Sequence, residues 1–346
     1  MDRKIWLSSA CALTLMLGAS QPAQAAGELR MYNWFEYFPQ ELIDKFKAEH
    51  DIQITIDTYD SNEALLARLK AGVTGYDVAV PGEYMTKILI DEGLIQDVDA
   101  NQLANFGNIP EQWVDVYWDP GREYSIPYQW GSTGFMVDTE TYSGDIDTLA
   151  ILFEPPAELS GKINLLRDVN DVINAGLRYL GHPRCNADPA QLKEVNDLLL
   201  AAKDHWLSFS SDGAKEVLVS GDAAAGMIWN GFGMKAREER ASLKYAYPKE
   251  GFTGWMDNIV VLNDAPNLDN ARTFMNFMLE PENAAMLTNF ARYSAGVSGV
   301  EPFLDDVLAT AHELNPPADA PAPEFVPPCP EEVVRLYDRI WTNLLK

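Results

Sequence analysis

A chain of 346 residues with 52 Asp and Glu against 26 Lys and Arg, a formal charge of −26 at pH 7, presents a surface that repels nucleic acid and anionic lipid. That length exceeds what one hydrophobic core usually serves, so two lobes are expected. The surplus of acid permits a cationic ligand without requiring one, since most surface carboxylates only keep the exterior solvated.

At the N-terminus, Arg3 and Lys4 precede an apolar run over residues 10–17 and the small-residue stretch Ala23-Gln24-Ala25. This order predicts a secretory signal peptide over residues 1–25 and an exported product. Cys11 lies inside the apolar run and not at a cleavage site, so no lipid anchor is expected. No later segment approaches the roughly 20 apolar residues that a membrane-spanning helix needs. Beyond the leader only Cys185 and Cys329 remain, too few for a disulfide framework or a zinc cluster. They can pair in an oxidising compartment, and the sequence leaves that open. No metal or other cofactor is expected.

Along the mature chain, strands are expected at 29–33, 52–58 and 76–80, with helices between them at 39–50 and 62–71. Leu42, Ile43 and Phe46 in the first helix, and Leu65, Leu66 and Leu69 in the second, recur at helical spacing. The alternation resumes with a strand at 162–166, helices at 168–180 and 189–203, and strands at 225–229, 244–247 and 258–262. A Pro/Ala-rich connector occupies 315–328. This is the grammar of an α/β protein built on mostly parallel sheet, in two lobes.

Open α/β sheets bind ligands beyond the carboxyl ends of their strands. The residues there are aromatic and acidic: Asn33-Trp34-Phe35-Glu36-Tyr37-Phe38 after the first strand, Pro81-Gly82-Glu83-Tyr84 after the third, and Trp229-Asn230-Gly231 in the second half. Gly254-Trp255-Met256-Asp257 precedes a strand, and Arg292-Tyr293 follows a helix. An alkylammonium ligand needs this chemistry, carboxylates for its charged ends and aromatic faces for its methylenes. A single aromatic in such a place is equally core packing; their repetition beside glycine and acid is not. Asp168 and Asp171, in Asp-Val-Asn-Asp at a helix start, serve a helix cap as well as they serve a ligand.

The segments Tyr32-Asn33-Trp34-Phe35-Glu36-Tyr37, Trp229-Asn230-Gly231 and Gly254-Trp255-Met256-Asp257 resemble the periplasmic spermidine/putrescine-binding proteins of ABC transporters, and the likeness runs from about Leu29 to the C-terminus. The resemblance implies a type II periplasmic-binding-protein fold, two α/β lobes joined by crossing segments around a ligand cleft. The first lobe would comprise 26–133 and 257–300, the second 134–256 and 301–346. It implies aromatic walls from Trp34, Tyr37, Trp229, Trp255 and Tyr293, with Tyr84 in the place of a family tyrosine. Asp168 and Asp257 would be anionic partners, Asp171 a further one, and Glu36 would assist at one end of the cleft. The implied partners are a small polyamine and the membrane permease of an ABC transporter, served by a monomer that does not itself insert in the membrane. Two departures stand out. Asp171 stands where the family usually has glutamate, and Gly82-Glu83 stands where relatives often carry small hydroxyl residues, leaving Glu83 at the cleft rim or facing solvent.

Other classes fit poorly. The chain has no Gly-x-Ser-x-Gly elbow and no His-Glu-x-x-His, and His50, His182, His205 and His312 have no evident catalytic partners, so no enzymatic activity is expected. The absence of a Tyr-Tyr pair disfavours a ferric-ion binder. A ligand bearing a carboxylate, such as 4-aminobutyrate, needs a cleft cation, for which Arg292 is the candidate. Delivery to a signalling receptor in place of a permease is not distinguishable in sequence.

Overall fold

The apolar runs of the first hundred residues form β1 (Gly27–Trp34) and β2 (Ile52–Tyr59), joined by α1 (Gln40–His50) and parallel from Gly27 opposite Ile52 to Trp34 opposite Tyr59. The computed structural model describes residues 27–72, 75–325 and 327–346; the expected leader lies outside them. Leu29 and Met31 point to one face of β1 and are fully buried in one cluster with Leu42 and Phe46 of α1, while Glu28 and Arg30 alternate outward. α2 (Asn62–Lys70) leads to the two-residue β3 (Val78–Ala79), parallel to β1, and α3 (Glu83–Asp91) follows. A small hairpin of β4 (Asp115–Val116) and β5 (Asp119–Pro120) precedes β6 (Ser125–Asp138), a strand of 14 residues.

The chain continues through α4 (Ala150–Phe153), β7 (Ile163–Leu165), α5 (Val169–Tyr179), α6 (Pro189–Ala202), β8 (Trp206–Phe209), α7 (Ala214–Ser220), β9 (Ala225–Trp229), α8 (Asn230–Glu239) and β10 (Leu243–Ala246). It ends with β11 (Thr253–Val261), α9 (Leu268–Met278), α10 (Pro281–Ala291), β12 (Ser294–Ala295), α11 (Asp306–Ala309) and α12 (Glu331–Leu344).

One path orders the sheet β2-β1-β3-β11-β6-β9-β7-β8, with β10 and β12 also on β6. Its two ends are parallel units, β2-β1-β3 and β9-β7-β8. Between them run β6 and β11, antiparallel to each other. Ile126 pairs with Ile259 toward the first unit, whereas Thr133 meets both Thr253 of β11 and Trp229 of β9. These two strands carry the chain from one lobe to the other.

The C-terminal connector adds a third tie. Glu324 pairs with Thr253, and the Phe325 ring packs 5.4 Å from Trp113. Cys185 and Cys329 form a disulfide that closes a separation of 144 residues and fastens the loop after α5 to the segment leading into α12. In the chain-entropy account a loop of that length stabilises the folded state by about 5 kcal/mol. Reduction, or Cys329→Ser, is therefore expected to lower the denaturant midpoint by several kcal/mol equivalent in urea titrations. Coincident unfolding curves with and without reductant would remove the disulfide from the stability account.

Candidate ligand-binding cleft

Where β6 and β11 cross, the carboxyl ends of both parallel units point at one cavity of about 130 Å³. From the first unit come Trp34 at the end of β1, Tyr59 at the end of β2 with Asp60 after it, and Gly82, Glu83 and Tyr84 at the start of α3. From the second come Asp168 and Asp171 after β7, Ser211 and Asp212 after β8, and Trp229 at the end of β9. Thr133 of β6, Trp255 and Asp257 of β11, and Tyr37 and Tyr293 in loops complete the lining. Nine of the ten residues singled out in the sequence thus meet in one place. Tyr59, Asp60, Ser211 and Asp212 end or follow strands too, and the strand-end rule applied to every strand finds them.

The aromatic rings hold one another in place. Trp34 lies against Tyr59 with the rings tilted and their centroids 4.5 Å apart, and both donate to the carbonyl oxygen of Val80, from Nε1 at 2.8 Å and from the hydroxyl at 2.6 Å. Tyr37 meets Tyr293 at 5.5 Å, and Tyr293 meets Trp255 at 5.1 Å, both edge to face. Glycines make these approaches possible. A Cβ on Gly231 would lie 2.5 Å from the Tyr293 ring, and one on Gly131 would lie 2.4 Å from Asn230 Oδ1 and 2.6 Å from the Trp255 indole. Asn230 accepts the Ser132 N–H at 3.1 Å and donates to the Glu313 carbonyl at 3.2 Å, so the Trp-Asn-Gly motif is a local brace beside the wall formed by Trp229. Gly231→Ala should displace Tyr293, destabilising the fold by about 1–3 kcal/mol and weakening ligand binding, both measurable by thermal melts and calorimetry.

Six carboxylates line the cavity: Asp60, Glu83, Asp168, Asp171, Asp212 and Asp257. The sheet register shifts between Asp257 and Asn258, and this bulge, with the bridge from Asp257 to Gly82, aims the Asp257 side chain. Burial pushes its carboxyl well above the usual range; the charge of Glu83 adds to this, and the Tyr37 hydroxyl, which faces it without completing a hydrogen bond of ordinary geometry, opposes it. Asp171 is also raised, by burial and then by the charge of Asp168, although Thr133 Oγ1 donates to it at 3.4 Å. Asp168 does both of the jobs its position allows: its Oδ1 accepts the Asp171 N–H at 2.9 Å as the cap of α5, and it lines the cavity. Tyr84 donates to Glu63 at 2.9 Å, and Asn170 reaches the same carboxylate from α5 at 3.4 Å, a contact across the gap between the units.

The matching family is the bacterial extracellular solute-binding protein, over residues 41–315. The chain belongs to that family. It is 32% identical over 315 residues to the spermidine/putrescine-binding periplasmic protein of Escherichia coli strain K12, covering 90% of each chain. It is 30% identical over 353 residues, 96% of each chain, to the putrescine-binding periplasmic protein SpuD of Pseudomonas aeruginosa. Among solved structures it is similar to a putative spermidine/putrescine ABC transporter protein of Listeria monocytogenes, with a TM-score of 0.85 and 28% identity over 92% of this chain and 98% of the other. A substrate-binding protein of a spermidine/putrescine ABC transporter from Streptococcus pneumoniae gives 0.79 at 28% identity, over 92% and 99%. The fold is the type II periplasmic-binding-protein fold.

Three sequence expectations change in this solute-binding protein. Glu36 is outside the cavity lining; it is exposed, with a left-handed φ of 49°, and its charge acts on Lys235 instead. Arg292 is no cleft cation. Its guanidinium is engaged by Glu238 at 3.4 Å and Asp305 at 2.8 Å, away from the lining. Glu83 neither sits at the rim nor faces solvent: it is 2% exposed, and its Oε2 accepts the Met256 N–H at 3.0 Å, tying α3 to β11 beside Asp257. Burial pushes its carboxyl up to about 7. Arg184, unnoticed in the sequence, is the single Lys or Arg of the lining among the described residues.

Proposed function

We propose that this protein is a periplasmic receptor for a small linear polyamine of the putrescine/spermidine class, which it holds between its lobes and delivers to the permease of an ABC transporter. One observation carries the reading: six carboxylates and a set of interlocked aromatic rings face one cavity against a single guanidinium. The most buried of these acids are raised out of their normal range, by burial first and then by a neighbouring carboxylate. A flexible chain of methylenes with ammonium ends supplies the missing charge and lays its apolar part on the rings. Trp34, Tyr37, Trp229, Trp255 and Tyr293 form the walls in this reading. Asp257, Asp171 and Asp168 take the nitrogens, and Tyr84 closes one flank. The lobes divide as 26–133 with 257–300 and 134–256 with 301–346, two of the three changes falling on β6 and β11. The relatives that are periplasmic binding proteins for spermidine and putrescine support the ligand class and the location, and the N-terminal leader fits export.

Calorimetric titration with putrescine, spermidine, spermine, 4-aminobutyrate and arginine tests the reading. Micromolar or tighter binding of at least one polyamine is expected, with 4-aminobutyrate and arginine weaker. Binding of none of the polyamines, or tighter binding of 4-aminobutyrate, would overturn it.

A further inference from the structure

Arg184 lies in the loop between α5 and α6, next to the disulfide at Cys185, and its Nη1 donates to the Pro327 carbonyl at 2.7 Å. The disulfide and the connector therefore hold the side chain from both sides. Among the described residues its Nε is buried with no hydrogen-bond partner. Arg178, in the last turn of α5, is by contrast engaged by Glu324 at 2.8 Å and by Thr253 Oγ1 at 2.8 Å. Phe325, two residues before Pro327, packs against the apolar cluster of Val116, Trp118 and Met256, and Glu83 accepts the Met256 N–H, so the held guanidinium is on the Glu83 side of the cavity, where the two charges act on each other. A fixed positive charge thus stands on the β11 side of the cavity, which Glu83 and Asp257 share, while Asp168 and Asp171 sit together at the start of α5.

We propose that Arg184 sets the length class of the ligand: its guanidinium disfavours a further ammonium at the Glu83 end, so the cleft prefers diamines to the triamine spermidine. The proposal rests on the polyamine reading above. A guanidinium stays charged at every physiological pH, so the bias does not titrate away. Like charges brought together across a partly dry site weigh on the wrong ligand more than they help the right one, which makes a repulsive residue an efficient discriminator. The neighbouring Glu83 moderates the repulsion; removing it would sharpen the bias.

The test is calorimetry with putrescine and spermidine on the wild-type protein, Arg184→Gln, Arg184→Lys and Glu83→Gln, read as the ratio of the two affinities. Wild type should favour putrescine. Arg184→Gln should shift the ratio toward spermidine by tenfold or more, Arg184→Lys should keep the wild-type ratio within about threefold, and Glu83→Gln should move it further toward putrescine. A ratio that is the same in Arg184→Gln and Glu83→Gln as in wild type would overturn the proposal, as would a wild-type preference for spermidine. If Arg184→Gln fails to fold, the opposite shift in Glu83→Gln decides alone. Wild-type protein that binds neither amine would instead remove the polyamine reading beneath it, a result distinct from an unchanged ratio.

Discussion

Asp257→Asn is expected to weaken putrescine binding a hundredfold or more while leaving the ligand-free protein at least as stable as wild type. Asp257 is 8% exposed and is held by the β11 bulge with Glu83 as a like-charged neighbour. In the empty cleft its carboxyl is therefore poorly compensated, and an isosteric amide relieves that while retaining the packing. In the complex the same change removes an ammonium partner. Charge-assisted hydrogen bonds contribute about 1.5–3 kcal/mol, and breaking a buried ion pair costs about 3–5 kcal/mol, so a loss near 3 kcal/mol, or a hundredfold, is a lower bound. Trp255→Ala should act differently: it also loses affinity, through the vacated cation–π face, but it lowers the melting temperature because Tyr293 and Gly131 pack against that indole. Calorimetry paired with thermal melts separates the two. Wild-type affinity in Asp257→Asn would exclude the carboxylate as a ligand partner.

The parts of the fold visible in sequence are those whose burial is one-sided or periodic. β1 and β2 alternate or run β-branched, and α1 and α5 show apolar residues at helical spacing, so their bounds fall within a few residues of expectation. β6 has no such signature. Pro127, Gly131 and Gly134 interrupt it, and most of its residues are buried on both faces, so no alternation remains. The glycines belong to its neighbours: Gly131 leaves room for Trp255 and Gly134 for Tyr245. β11 likewise starts at Thr253 and not at 258, because its first residues are chosen for the cleft. The aromatic and acidic members of the site were legible because local order, a strand followed by aromatic and acid, places them. Arg184 and the inward turn of Glu83 were not. Arg184 is held at the cavity by its neighbour Cys185, bonded to Cys329, and by the carbonyl of Pro327, and Glu83 turns inward to meet the Met256 N–H; these are contacts across more than a hundred residues, with no local trace.

Polyamine binding is expected to release protons near neutral pH, and the ligand-free protein is expected to lose stability as pH rises through the same range. The stability argument rests on Glu83. Its carboxyl titrates near 7 in the folded protein against 4.5 as its ordinary value, because burial penalises the charged form. Below 4.5 it is protonated folded or unfolded and makes no difference. Between 4.5 and 7 the folded state keeps a proton that the unfolded state has lost, so stability declines as pH rises across that window, by an amount on the order of 3 kcal/mol once above it. Asp257 and Asp171, raised by the same cause, act in the same direction. An ammonium placed among these acids reverses the balance: it favours their ionised forms and expels whatever protons they hold, so affinity strengthens from pH 6 to pH 8. Melts of the free protein at pH 5.5 and pH 8, and titrations in two buffers of different ionisation enthalpy, measure both effects. Asp257→Asn should reduce the number of protons released. A free protein that melts higher at pH 8 than at pH 5.5, or binding with no proton release in either buffer, would mean that the buried acids are already ionised in the empty cleft.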